Sequence, residues 1–257
     1  DILLTEKLYR LAEENHDAYK NAAPHAHGVF DDVFPPEILK NVIKEFDLKE
    51  NQQWKSFDTK YEKKLQLSTD DTLGPNTRAL ISNLNSGSFL TFLQKLTGIP
   101  SLVADPYLAG GGLHKIEPGG KLGIHVDFNR NDNLQLHRRI NVLVYLNEDW
   151  DESYGGHFEL WNDKSGSEKV KILPIFNRMA IFNTTGTSFH GHPEPLTCPP
   201  DRARKSLALY YYTAEKDNLQ SKNNHGTVFV DENGKADEIG KPTLTRRVKD
   251  KIKALIR

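Results

Sequence analysis

Short strands separated by Gly, Asn, Asp and Pro turns run from residue 102 to residue 213, behind a first hundred residues with helical periodicity. Together these predict a mainly β protein with flanking helices (α+β). The strand segments fall near 102–109, 112–117, 122–128, 140–146, 157–161, 169–173, 179–183 and 188–192, with 205–213 closing the set. One of the first two is expected to be accessory. Eight strands in two facing antiparallel sheets make a jelly roll, which guards its edges against pairing with other chains.

Ahead of the strands, residues 2–22 place Leu4, Leu8, Leu11 and Ala12 on one helical face. A short strand is expected over 27–34. Pro35-Pro36 then opens a second helix through Phe46, with Ile38, Leu39, Val42, Ile43 and Phe46 on one stripe. The polar, lysine-rich stretch 47–77 reads as an ordered excursion or lid. Two further helices fit 78–84 and 88–96, broken at Gly87 and ended by Gly98. These helices should brace one face of a sheet. After Thr213 the chain turns polar: 222–241 reads as an exposed loop or hairpin, and a basic amphipathic helix is expected over 244–256. The chain therefore divides into a helical support region (1–100), a β core (101–214) and a C-terminal loop and helix (215–257), the first two sharing one domain.

The 257 residues, 37% hydrophobic, can bury a sizeable core. A net charge of −1 creates no field that recruits nucleic acid or an anionic membrane, and neither partner is expected. The basic face of the last helix is the one feature that leaves such contact open. No apolar run approaches a membrane span. The single cysteine, Cys198, cannot form an internal disulfide, which suggests a reducing, cytoplasmic setting and a buried small residue in a loop. Asp1 is not a methionine, so a removed leader or a trimmed start stays open.

The chemistry is carried by His125, Asp127 and His190. In a strand, residues i and i+2 point the same way, so His125 and Asp127 share one face while Ile124, Val126 and Phe128 take the other. His190, far beyond Asp127 in the chain, can approach from a neighbouring strand. Two imidazoles and one carboxylate cap one face of a metal ion and leave the opposite face open, an arrangement suited to non-haem Fe(II). A lone His-x-Asp arises easily in a chain with 10 histidines and 35 acidic residues, and equally fits a surface turn or a His–Asp hydrogen bond. Arg204-Lys205-Ser206, downstream of His190, sharpens the reading. Arg204 and Ser206 share a face opposite Lys205, and an arginine beside a hydroxyl matches a ligand carboxylate.

With these pieces in place, the stretch 105–213 resembles the 2-oxoglutarate and Fe(II)-dependent oxygenases, in their prolyl 4-hydroxylase-like branch. The matching segments are His125-Val126-Asp127, Arg139 to Trp150 (which contains Tyr145-Leu146-Asn147), Gly155 to Trp161, Pro174 to Arg178, His190, and Arg204 to Tyr212. The resemblance covers somewhat less than half of the chain. It implies a double-stranded β-helix, with the His-x-Asp strand second, the distal His strand seventh and the Arg-x-Ser strand eighth. It implies Fe(II) held by His125, Asp127 and His190, and 2-oxoglutarate as cosubstrate with its distal carboxylate on Arg204, assisted by Ser206 and Tyr145. Asn141 shares a strand face with Arg139, Leu143 and Tyr145 and is expected to line the same pocket. Dioxygen is the oxidant and ascorbate a candidate reductant. A carboxylate at position 127, where a halogenase carries Gly or Ala, favours hydroxylation of an unactivated C–H bond.

His192 could face the metal in place of His190, but the resemblance puts an apolar residue there, so it is taken as a neighbour of the ligand set or as a structural side chain. His157 is expected to be packed or exposed, and His137 and His114 are loop or edge candidates for substrate contact. The polar segment 129–138 is long for a connection and is expected to close over substrate. The favoured substrate is a prolyl peptide or protein. A free amino acid or natural-product intermediate is the alternative, and a non-catalytic jelly-roll metal binder is the third reading. Oligomeric state is not legible.

Overall fold

The computed structural model describes residues 2–47, 53–69, 72–218, 223–231 and 234–239. The expected helix over 244–256 lies outside the described residues. The first helix, α1 (Thr5–Lys20), leads into strand β1 (His27–Asp31) and α2 (Pro36–Lys44). A hairpin of β2 (Lys55–Asp58) and β3 (Glu62–Leu67) follows, then α3 (Pro75–Leu84) and α4 (Gly87–Thr97). The β core comprises β4 (Val103–Ala104), β5 (Gly112–Ile116), β6 (Lys121–Val126), β7 (Arg130–Asn131), β8 (Leu136–Tyr145), β9 (Phe158–Trp161), β10 (Lys169–Ile172), β11 (Arg178–Asn183), β12 (Phe189–His192) and β13 (Arg204–Thr213). A last hairpin joins β14 (Thr227–Val230) to β15 (Ala236–Ile239).

Among the described residues the strands form one continuous sheet along the path β1-β11-β8-β13-β5-β3-β6-β12-β9-β10, with the pairs antiparallel. Strand β3 carries β2 on one edge, and along its other edge it pairs with β6 through Glu62 and Lys63 and with β5 through Leu65 to Leu67. This is the mainly β, barrel-like double-stranded β-helix with flanking helices that the sequence predicts.

The helices cover the outer face of β8, β11 and β13, as expected of a support layer. Leu8 and Ala12 of α1, Leu39 and Val42 of α2, and the buried faces of α3 and α4 join Val142, Val144, Ile181 and Leu209 in one apolar cluster. Strand alternation explains the partition: Ile140, Val142 and Val144 go outward to the helices, while Asn141, Leu143 and Tyr145 turn inward. Burial of this apolar area at roughly 25 cal/mol per Å2 is the main force holding the helical layer on the sheet. Gly98 ends α4 in the left-handed region (φ 72°), as its sequence position predicts. The break before α4 falls at Asn85–Ser86, with Ser86 as the N-cap and Gly87 the first helical residue. Leu4, counted into the α1 stripe from its spacing, is 44% exposed because the helix starts one residue later.

Four expectations need correction. The stretch 47–77 contains β2, β3 and the first turn of α3, and β3 is an interior strand of the sheet. It looked like an excursion because Glu62, Lys64 and Gln66 face a polar cavity rather than an apolar core. The segment 129–138 is a short hairpin: Arg130 and Asn131 pair with His137 and Leu136. Asn131 Oδ1 accepts from the backbone N–H groups of Asn133 and Leu134, so this is a compact turn. Only Val103 and Ala104 of the first strand candidate pair as strand. The C-terminal hairpin is partly buried, because β14 pairs with β6 and buries Phe229 and Val230.

Candidate active site

The antiparallel pairing of β6 with β12 places His125 directly opposite His190, with ring centroids 4.3 Å apart. Asp127 follows just past the end of β6. Its Oδ1 lies 3.5 Å from His125 Nε2 and its Oδ2 3.2 Å from His190 Nε2. One ligand atom from each of the three residues lies within 4.8 Å of the others. Cis ligands on an ion with bonds of about 2.1 Å stand roughly 3 Å apart, so this spacing suits a single metal.

The hydrogen bonds decide which atoms face that point. His125 Nδ1 donates to Gly123 O at 2.8 Å, and His190 Nδ1 donates to Ser188 O at 2.8 Å. A carbonyl only accepts, so both protons sit on Nδ1 and each Nε2 keeps its lone pair. Burial pushes the His125 imidazole pKa down and favours the neutral ligand form. Burial alone would raise the Asp127 pKa, but the Arg138 guanidinium beside it holds it well below the carboxylate range.

Asp127 is clamped by two residues that the sequence did not assign to it. Arg138 Nη2 lies 3.0 Å from Asp127 Oδ2, and Asn141 Nδ2 donates to the same oxygen at 2.7 Å. Arg138 Nε in turn donates to Asn141 Oδ1 at 2.8 Å. The guanidinium is itself fixed by the Tyr210 ring, 3.4 Å away, and the Phe128 ring, 4.6 Å away. One carboxylate oxygen is therefore taken up by donors, leaving Oδ1 as the freer ligand atom. Arg138 reaches this face through a slip in the β8–β13 register. Tyr211 pairs with Ile140 but Tyr212 pairs with Arg138, which leaves Arg139 outside the ladder. Arg139, expected on the pocket face, instead binds Thr213 Oγ1 and Asp217. Phe128 is a second reversal. Because β6 ends at Val126, Phe128 lines the cavity instead of joining Ile124 and Val126 in their apolar cluster.

The three residues open into a cavity of about 430 Å3 between the two halves of the curled sheet. Arg204 is 4% exposed and lines it, with its Nε donating to Gly156 O at 2.8 Å. Ser206 and Asn141 line it too. Lys205 points away and lies over the Phe46 ring, as alternation requires. Tyr145 lies beneath Arg204, 5.1 Å from ring centroid to guanidinium carbon, among Phe158, Leu160 and Phe182. Burial pushes its pKa up to about 12, partly opposed by the Arg204 charge, so the hydroxyl keeps its proton.

The cavity also recruits β3. Glu62 and Lys64 form a 2.9 Å ion pair on its wall, and Gln66 Nε2 donates to Gly111 O. His114 and His192 line it as buried side chains, and burial pushes the His114 pKa down to about 3. His137 lies outside the cavity lining, and His157 faces Glu152 at 3.4 Å. Cys198 is buried, with its thiol toward Arg202 O.

Residues 111–212, with the paired histidines, the clamped carboxylate and Arg204, match the 2OG-Fe(II) oxygenase superfamily, the oxygenases that use 2-oxoglutarate and Fe(II). This stretch is a 2OG-Fe(II) oxygenase domain. The oxygenase fold is shared with a prolyl hydroxylase from Trichoplax adhaerens, solved with a hypoxia-inducible-factor oxygen degradation domain peptide. That match has TM-score 0.59 and 19% identity, over 84% of this chain and 96% of that one. A Pseudomonas putida prolyl-4-hydroxylase aligns with TM-score 0.57 and 16% identity, over 79% and 98% of the two chains. HygX from Streptomyces hygroscopicus, solved with nickel, 2-oxoglutarate and hygromycin B, aligns with TM-score 0.54 and 12% identity, over 82% and 95%. No curated protein matches the sequence. No helix among the described residues is long and apolar enough to cross a membrane.

Proposed function

We propose that the protein is a hydroxylase of an unactivated C–H bond, dependent on Fe(II) and 2-oxoglutarate, with a prolyl peptide or protein as its substrate. One observation carries the oxygenase part of the reading: a buried two-histidine, one-carboxylate set with both Nε2 lone pairs free, sharing a cavity with a buried arginine. A protein that merely stored metal would need no buried cation beside it, and burying Arg204 is costly unless an anion completes it. The likeness in fold to two prolyl hydroxylases supports the peptide substrate. A small molecule is the second reading, favoured by the likeness to the hygromycin-bound HygX.

In this proposal His125, Asp127 and His190 hold the iron. The donor chemistry fits, since neutral imidazoles and one carboxylate with an open opposite face suit non-haem Fe(II). Fe(II), when bound with 2-oxoglutarate and dioxygen, supplies oxidative decarboxylation to succinate and carbon dioxide coupled to C–H oxidation. The chain's own groups bind and orient. Arg204 takes the distal carboxylate of 2-oxoglutarate by charge-assisted hydrogen bonds, Ser206 adds a donor, and Tyr145 keeps its proton beneath the guanidinium. Asn141 and Arg138 hold Asp127 in one orientation. Phe128, Leu143 and Phe158 line the same cavity with apolar surface that would exclude water beside a bound metal.

Succinate release from 2-oxoglutarate with Fe(II) under air tests the reading, with wild type and Asp127→Ala measured across prolyl peptides and free amino acids. Turnover that needs Asp127 and rises with a prolyl peptide supports it. Stimulation by a free amino acid alone moves the assignment to the small-molecule reading. Bound iron with no succinate at all refutes the oxygenase activity.

A further inference from the structure

The cavity contains buried polar atoms that neither the ligand set nor the Asp127 clamp uses. His192 is 2% exposed, and both of its ring nitrogens lack a hydrogen-bond partner. His114 is 9% exposed, and its Nε2 is likewise unpartnered. Both side chains line the cavity. In any protonation state an imidazole carries at least one N–H, and buried donors are nearly always satisfied by protein, water or ligand. A packing role at position 192 is served better by an apolar side chain, which leaves no donor stranded.

Their placement says what would satisfy them. His192 is two positions beyond His190 on β12 and stands opposite Leu122 of β6. His114 on β5 lies directly across from Ser206 on β13 and from Gln66 on β3. Arg204 and Lys64 are the cations whose fields reach both imidazoles. Lys64 is already neutralised by Glu62, whereas no carboxylate lies within ion-pair distance of Arg204 among the described residues. The donors of His192, Ser206 and Arg204 thus border one part of the cavity, next to an uncompensated buried cation. That is a chamber for an anion with several oxygens.

We infer that His192 is a specificity-determining residue of this chamber. It donates a hydrogen bond to the far carboxylate of a dicarboxylic 2-oxoacid held on Arg204, with His114 and Ser206 forming the chamber floor. The inference rests on the reading of Arg204 as the 2-oxoglutarate anchor and deepens it. It predicts that the oxygenase discriminates 2-oxoglutarate from a five-carbon 2-oxoacid lacking the far carboxylate more sharply than Arg204 alone allows.

The test uses the full chain loaded with Ni(II), with 2-oxoglutarate and 2-oxopentanoate binding measured by calorimetry. His192→Leu is expected to weaken 2-oxoglutarate about tenfold or more, the loss of one hydrogen bond to a charged group. It should leave 2-oxopentanoate within about twofold. His192→Gln, which keeps an N–H donor, should recover most of the loss. Equal 2-oxoglutarate affinity in wild type and His192→Leu overturns the inference. Parallel loss of both ligands overturns it too, since that marks a structural role, and so does failure of the Gln variant to recover. If wild type binds no 2-oxoglutarate at all, the reading of Arg204 fails first and takes the inference with it.

Discussion

Asn141→Leu isolates the clamp on Asp127. The side chain is replaced by one of similar size, the net charge is unchanged, and two hydrogen bonds disappear: the 2.7 Å bond to Asp127 Oδ2 and the 2.8 Å bond from Arg138 Nε. Both involve an ionised partner, and such bonds contribute about 1.5–3 kcal/mol each. Arg138 still reaches Asp127 at 3.0 Å, so part of the loss is recovered. The metal-free protein should therefore lose about 2–4 kcal/mol, a fall in Tm of roughly 5–15 °C for a domain of this size. Freed of one donor, the carboxylate can rotate and offer either oxygen, and loss of an orienting group typically weakens metal binding about 10–100-fold. Co(II) titration followed by its visible absorption, with thermal unfolding of the metal-free form alongside, measures both. A fall in Tm with Co(II) affinity within about threefold of wild type refutes the orienting role. The pocket position read from the sequence makes a competing forecast, in which Asn141→Leu weakens 2-oxoglutarate and leaves Co(II) untouched.

Three further outcomes follow from named contacts. A Cβ at Gly191 would stand 2.7 Å from both Gly123 O and Leu122 O, so Gly191→Ala must push β12 off β6 and spread His190 from His125; a loss of about 1–3 kcal/mol with weaker Co(II) binding is expected, and unchanged Co(II) affinity would count against it. Arg204→Lys should behave like a loss of function, with the KM for 2-oxoglutarate raised about tenfold or more, because a single ammonium cannot replace the planar donor fork; a KM near wild type argues that the arginine is only a point charge. Glu45 accepts from the backbone N–H groups of Asn76 and Thr77 and from both of their side chains, capping α3 from a distant segment. Burial alone would raise its pKa, but these four donors lower it. A carboxyl with a depressed folded pKa stabilises fully above its unfolded value of about 4.3 and loses that contribution as pH falls through the folded one. Urea unfolding between pH 3 and 6 should show this acid-side loss in wild type, and Glu45→Gln should make the slope shallower while costing about 1–2 kcal/mol at neutral pH.

Most of the fold was legible because strand alternation and helix periodicity were both written in apolar residues. Val142 and Val144, like Ile181 and Leu209, face the helical layer, and α1, α2 and α4 each present a stripe of matching period. The failures share a cause. Strand β3 runs Glu62-Lys63-Lys64-Leu65-Gln66-Leu67, and its pocket-facing residues are Glu62, Lys64 and Gln66. Hydropathy cannot separate a polar residue facing water from one facing a polar cavity, so an interior strand of the sheet reads as a solvated excursion.

The same limit explains what the site reading found and missed. His125, Asp127, His190 and Arg204 line one cavity, as their i, i+2 spacing and order along the chain lead one to expect, since both survive folding. Arg138 was missed because strict alternation puts Arg139 on the pocket face. Only the register slip beside Tyr212 reverses the two, and a slip of one residue exchanges inside for outside. The signal available in the sequence was the pair itself: two adjacent arginines at the start of a strand cannot both face water if the strand is interior. One of them must find a buried anion, and Asp127, upstream in the same stretch of chain, is the acidic residue that the motif had already turned inward. A residue that breaks the alternation of a catalytic strand is thus better read by the charge it must neutralise than by the face its number assigns.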